Sequence, residues 1–275
     1  MSRKLAMLTG AITGLFSGFT GVGGGAILVT MMVTFLKIPQ HKAHGTSLAI
    51  IITGAFFGAI TYALGGWYNI FLTLSLAFGS IFGVIVGAKI MMKLPAPQLR
   101  RIFGLFLFYV SLSMLSKGII QVGSGAPPLD PSYVTSPESV PLWLGVGFMA
   151  GVFAGILGIG GGLLMVPVMA LGAGMDQRLV QGISLAVITI TSIVGTYTHY
   201  KLGNVDVPTA LIVGPSTAVT AIVASAIASR TDPFLLTKIF GLAMLYFAFQ
   251  FTFKNAPQRP TTTQAAAPAQ KPAQG

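Results

Sequence analysis

From Ala43 to Ala88 the chain runs for 46 residues without an Asp, Glu, Lys or Arg. No other feature narrows the fold so far, because a charge-free run longer than the roughly 20 residues of a membrane-crossing helix has no place on a soluble surface. Six further runs share the pattern: Leu5–Leu36, Ile102–Ser116, Ser139–Met175, Leu179–Tyr200, Val207–Ser229 and Ile239–Phe253. Those of about 15 residues reach across only with their polar flanks, as tilt and snorkelling allow. A transmembrane β-barrel would alternate in and out over strands of about 10 residues, and these runs do not. Only 8% of the residues are charged, against about 25% in soluble domains. The expected fold is an all-α polytopic membrane protein. The basic start "MSRK" resembles a signal peptide, but the apolar run behind it is too long and lacks a convincing cleavage site, so it is read as the first membrane element.

The runs are written twice. Sliding the chain by 137 residues aligns Gly10–Val110 with Gly147–Phe247 without a gap, and 29 of the 101 pairs are identical, 11 of them Gly–Gly. The strongest blocks are "GLFSGFTGVGGGAILVT" (Gly14–Thr30) against "GVFAGILGIGGGLLMVP" (Gly151–Pro167), and "HGTSLAI" (His44–Ile50) against "QGISLAV" (Gln181–Val187). A first repeat over 1–120, an inter-repeat loop over 121–141 rich in Gly, Pro and Ser, and a second repeat over 142–253 follow. The Pro/Ala/Gln tail 254–275 cannot bury a core and is expected to be disordered.

Each half holds one glycine-broken segment and then three spans, at about 46–64, 68–88 and 100–120, and again at about 180–200, 206–229 and 234–253. If the broken segment folds back on itself, Arg3, Lys4, Lys37, Lys42, Lys89, Lys93, Arg100, Arg101, Lys201, Lys254 and Arg259 fall on one side. Lys117, Arg178, Arg230 and Lys238 fall on the other. A straight crossing would split the charges almost evenly. Basic loops favour the cytoplasm, so the eleven-to-four split favours a hairpin of two short helices and cytoplasmic termini. A hairpin plus three spans has odd parity, so the second repeat is expected upside down. Inverted-topology repeats of this kind place a substrate near the midplane, where discontinuous helices meet. The net charge of +11 is thereby accounted for, and no nucleic-acid partner is expected.

Gly10, Gly14 and Gly18, with Gly147, Gly151 and Gly155, recur at four-residue spacing and read as a small-residue packing face. The denser clusters, Gly21, Gly23, Gly24, Gly25 and Gly158, Gly160, Gly161, Gly162, fit a backbone that leaves the helical ladder. Irregular backbone at membrane depth is tolerated only inside protein or along a polar cavity. There it exposes N–H groups beside a helix N-terminus, a cradle for a small anion. A hinge or plain packing role is the competing reading of the same glycines. Ser47 and Ser184 are matched hydroxyls that either cap and pair helices or donate to such an anion. Thr46 flanks Ser47, and His44 and Gln181 are matched to each other, His44 being titratable and able to couple proton movement. Arg178 faces the headgroups or guides an anion inward. The acids Asp130, Glu138, Asp176, Asp206 and Asp232 all fall in loops or at span ends, and there are no cysteines, so no metal site, cofactor or nucleophilic catalyst is expected. His199 is read as an ordinary span-end histidine.

The doubled "GxxxGxxGxGGG", followed each time by an "xGxSLA" block, resembles the TauE/SafE family of bacterial membrane permeases over about 5–253. The first repeat departs from the commoner form at Thr30, where the second has Pro167. The resemblance implies a non-enzymatic inner-membrane transporter that exports a small sulfur-containing anion, sulfite or an organosulfonate. The motif glycines named above, with Thr46, Ser47 and Ser184, are its site positions. The partners it implies are that sulfite-like anion and the lipid bilayer; a homodimer is an assembly that the sequence allows but does not determine. A passive anion channel, or a membrane scaffold whose glycines only pack helices, is the alternative.

Overall fold

The computed structural model describes residues 3–91, 96–116 and 130–253. The expected disordered tail and most of the expected inter-repeat loop lie outside them, as do Lys93, Lys117, Lys254 and Arg259. Every regular element among the described residues is a helix: α1 (Arg3–Thr20), α2 (Gly25–Thr34), α3 (Gln40–Leu64), α4 (Ile70–Met91) and α5 (Ala96–Ser116). A short turn, α6 (Pro131–Val134), leads to α7 (Val140–Leu157), α8 (Gly162–Pro167), α9 (Gln177–Lys201), α10 (Val207–Ala228) and α11 (Pro233–Phe253). Six of the helical segments are long and apolar enough to cross a membrane: Gln40–Leu64, Ile70–Met91, Pro137–Leu157, Gln177–Lys201, Val207–Ala228 and Pro233–Phe253.

The 137-residue offset carries α1–α5 onto α7–α11, and the packing follows it. α3 packs on α9 and α5 on α11, while α1 lies on α10 as α7 lies on α4. A methyl built on Gly45 would stand 2.1 Å from the Asn204 carbonyl, and one on Gly182 2.1 Å from the Trp67 carbonyl. Each of α3 and α9 therefore begins where the other ends. In the same way Gly104 faces Thr252 while Gly241 faces Leu115, so α5 and α11 are antiparallel too.

Gly10, Gly14 and Gly18 meet Val213, Thr217 and Ala221 in register, so α1 runs parallel to α10; Gly147, Gly151 and Gly155 meet Leu76, Ser80 and Val84, so α7 runs parallel to α4. These two stripes are packing faces, as their spacing implied. The helix directions gather Arg3, Lys4, Lys37, Lys42, Lys89 and Lys201 at one end of the bundle and Arg178, Arg230 and Lys238 at the other.

The glycine clusters are the breaks. A methyl on Gly24 would stand 2.7 Å from the Thr13 carbonyl and one on Gly161 2.8 Å from that of Ala150. After each break the chain therefore runs back beside the helix that delivered it. The expectation of two short helices needs correction in one respect. The first arms, α1 and α7, are 18 residues each, about 27 Å at 1.5 Å per residue, and only the second arms are short. Close backbone packing of the Gly10 and Gly147 stripes on α10 and α4 offsets the helix-breaking tendency of those glycines. Thr30 and Pro167 also diverge in structure. α2 stays regular to Thr34, whereas Pro167, lacking an N–H, ends α8 and the chain widens into one π-helical turn over Val168–Gly172.

Candidate functional site

Gly21, Gly23 and Gly24 have φ of 70°, 82° and 72°, and Gly158, Gly160 and Gly161 have 66°, 88° and 85°. This left-handed geometry costs an L side chain about 1–2 kcal/mol per residue, which explains why both breaks are written in glycine. α2 then starts at Gly25 and α8 at Gly162. A methyl on Gly25 would stand 2.5 Å from the Gly158 carbonyl, and one on Gly162 2.7 Å from the Val22 Cα. The two breaks thus meet backbone to backbone, with Ile51 packed on Gly23 and Gly25 and its matched residue Ile188 on Gly23, Gly160 and Gly162. All eight glycines expected at the site are buried.

A helix C-terminus leaves carbonyls unpaired and a partial negative charge, and both α1 and α7 end inside the protein. Three side chains close each end, all from α3 and α9. At the end of α1, Tyr62 Oη–H donates to the Gly18 carbonyl at 3.0 Å, Gln181 Nε2–H to that of Phe19 at 3.0 Å and Ser184 Oγ–H to that of Gly21 at 2.7 Å. At the end of α7, His199 Nε2–H donates to Gly155 at 3.1 Å, His44 Nδ1–H to Leu157 at 2.7 Å and Ser47 Oγ–H to Gly158 at 2.8 Å. Positions 62 and 199, 181 and 44, and 184 and 47 are equivalent under the 137-residue offset. In each set two of the three clamps come from the repeat opposite to the break: Ser47 and His44 reach from the first repeat to the second, Ser184 and Gln181 from the second to the first. The same Tyr62 hydroxyl lies 2.6 Å from Gln181 Oε1, so its one proton is shared between that oxygen and the Gly18 carbonyl and ties the first clamp together.

The remaining expected residues are placed as follows. Thr46 is fully buried and its Oγ1 accepts the Asp206 N–H at 2.8 Å, fastening the start of α3 to the α9–α10 turn. Arg178 does not point at the breaks. Its guanidinium pairs with Asp176 at 3.1 Å and stacks 3.9 Å above the Trp67 ring at the end of the bundle that holds few basic residues. The six clamping side chains are all buried. Their hydroxyl, amide and ring donors engage main-chain carbonyls. The first bond of α2 runs from Leu28 N–H to Gly24 O, which leaves the Gly25, Ala26 and Ile27 amides without helical partners, as at any helix start. Tyr62 and His199 were missed as part of this arrangement. The only signal for them was the offset itself, which pairs a tyrosine with a histidine, residues that share nothing but a ring donor.

Comparison with known proteins gives a consistent assignment. The family model described as "Sulfite exporter TauE/SafE" matches residues 1–114 and 143–274. The chain is 25% identical over 275 residues to the probable membrane transporter protein YunE of Bacillus subtilis, covering 93% of this chain and 99% of that one. It is 26% identical over 253 residues to a probable membrane transporter protein of Xylella fastidiosa, covering 90% and 94%. No solved structure matches. With both glycine breaks inside the matched residues, the chain belongs to the TauE/SafE sulfite exporter family of membrane transporters.

Proposed function

We propose that this protein is a secondary transporter that exports a small sulfur oxyanion, sulfite or an organosulfonate, across the inner membrane by alternating access. Its two repeats, 1–120 and 142–253, are inverted in the membrane, and both termini are cytoplasmic. The observation that carries the proposal is the meeting of the two breaks. Two helix starts converge there, while both helix ends that would repel an anion are neutralised by buried donors from α3 and α9. The gathering of basic residues at the end of the bundle where α1 starts supports the orientation.

In this proposal the main-chain amides of Gly21, Gly23, Gly24 and Gly25, and of Gly158, Gly160, Gly161 and Gly162, hold the anion. His44, Ser47, Gln181 and Ser184 keep the two breaks in register. Thr46 fixes the mouth of α3, and Arg178 stands at the opposite mouth. The breaks are packed closed against Ile51 and Ile188, so the anion enters as the hairpins separate. Purified protein tests this by thermal unfolding against sulfite, sulfate, thiosulfate and taurine. A ligand at 100 times its Kd adds about 2.7 kcal/mol of stability. Stabilisation by sulfite or a sulfonate, but not by chloride, is expected; no shift from any of the sulfur anions would overturn the substrate assignment.

A further inference from the structure

One face of α9 carries polar side chains along most of its length and is wholly buried. At 100° per residue, Gln177, Gln181, Ser184, Ile188, Ser192, Gly195 and His199 lie within a single narrow stripe, and each is buried. Some of these groups are accounted for by the clamps on the breaks. The others are not. Gln177 is 2% exposed, yet neither its Nε2 nor its Oε1 has a hydrogen-bond partner within the described chain. Ser192 Oγ and His199 Nδ1, on residues with 0% exposure, are likewise unpartnered, as is the buried Oγ1 of Thr196 one turn before His199.

Leaving a polar group buried and unpaired costs about 1–3 kcal/mol, so four such residues along one helix are too many for packing alone. They also fall in two groups. Gln177 lies at the end of α9 beside Arg178, and Ser192, Thr196 and His199 lie between the breaks and the end beside Lys201. Only Ile188 is apolar in the stripe, and it sits against Gly23, Gly160 and Gly162, where the two breaks meet.

We infer that this face of α9 is the wall of the transport path. Gln177 is the polar group of one half-path, Ser192, Thr196 and His199 are those of the other, and Ile188, with Ile51 facing it, is the apolar plug between them. The idea rests on the transporter proposal but not on its substrate. When either half opens, its unpaired donors and acceptors gain water or a hydrated anion as partners, and the desolvation cost they carry in the closed arrangement becomes part of the drive to open. The matched face of α3 does not offer this, because its corresponding positions after Ile51 are Ala55, Ala59 and Tyr62, and the Tyr62 hydroxyl is already engaged by Gly18 and Gln181.

The chain has no cysteine, so single substitutions report accessibility without background. Gln177→Cys and Ser192→Cys are made in the full chain in liposomes, with Ile183→Cys and Val187→Cys, also buried but on other faces of α9, as controls. Each is treated with a charged, water-soluble methanethiosulfonate, and folding is checked by thermal melting. Thiol reactivity follows exposure to water, so the two stripe positions are expected to label about tenfold or more faster than the controls. Labelling of Ser192→Cys no faster than that of Val187→Cys, in folded protein, would overturn the inference. Slowing of stripe labelling by sulfite supports both the path and the substrate. Fast labelling that no sulfur anion slows leaves the path standing and counts against the substrate assignment.

Discussion

Ser47 Oγ–H lies 2.8 Å from the carbonyl of Gly158, 111 residues away in the other repeat, and also donates to the His44 carbonyl one turn back in its own helix. Its counterpart Ser184 makes the mirror contact to Gly21 at 2.7 Å. Ser47→Ala and Ser184→Ala each leave a buried carbonyl unpaired, which costs about 1–3 kcal/mol. Because the two breaks touch, the double variant is expected to be non-additive in unfolding experiments. Additive losses would show that the clamps act independently.

Glycine is required at the breaks for two reasons that one comparison separates. Gly161→Ala adds a left-handed strain of about 1–2 kcal/mol and a methyl 2.8 Å from the Ala150 carbonyl, whereas Gly66→Ala adds the strain alone, since Gly66 has φ of 83° and nothing within 4 Å. Gly161→Ala is therefore expected to lower the melting temperature clearly more than Gly66→Ala. Equal shifts would mean that the break relaxes around a methyl.

The α4–α7 contact tests the interlocking of the repeats. A methyl on Gly151 would stand 2.3 Å from the Ser80 carbonyl, a backbone atom that cannot swing away. Overpacking of this kind costs about 1–3 kcal/mol, so Gly151→Ala is expected to melt earlier than wild type, and Gly145→Ala, with open space around it, to melt close to wild type.

Arg178 is already engaged by Asp176 and Trp67, and its side chain is 22% exposed. An exposed ion pair contributes about 0–1 kcal/mol, so Arg178→Ala is expected to leave stability within about 1 kcal/mol of wild type. If Arg178 guides anions, the variant loses flux at low ionic strength and regains the wild-type ratio in high salt. A loss that is independent of salt would assign Arg178 a structural role.

Much of this was legible beforehand. The hairpins followed from the dense glycines read against the loop charges, and the duplication marked His44, Ser47, Gln181 and Ser184 because each lies in a block copied beside a break. The partners of those residues were not legible. An offset shows which positions are equivalent and says nothing about which repeat a side chain reaches, so Ser47 read as a cap, a helix-pairing hydroxyl or an anion donor, and its partner, the Gly158 carbonyl of the other repeat, was not legible. The first hairpin arms read as short because the loop charges favour folding the glycine-broken segment back on itself. What sustains them is contact with α10 and α4, distant in sequence. His199 read as an ordinary span-end residue because no Ser and acid stand at a recognisable spacing from it. The shared task, one ring donor to the Gly18 or Gly155 carbonyl, appears only in three dimensions.

The central claim is that the two glycine breaks together move a sulfur oxyanion. Purified protein in liposomes preloaded with unlabelled sulfite is given a trace of radiolabelled sulfite outside, and counterflow is measured for wild type and for Gly24→Ala and Gly161→Ala variants shown to remain folded. The account predicts transient, saturable accumulation of label by wild type and its loss in both variants. Accumulation undiminished in the folded variants, or none in wild type with sulfite or taurine, would contradict it.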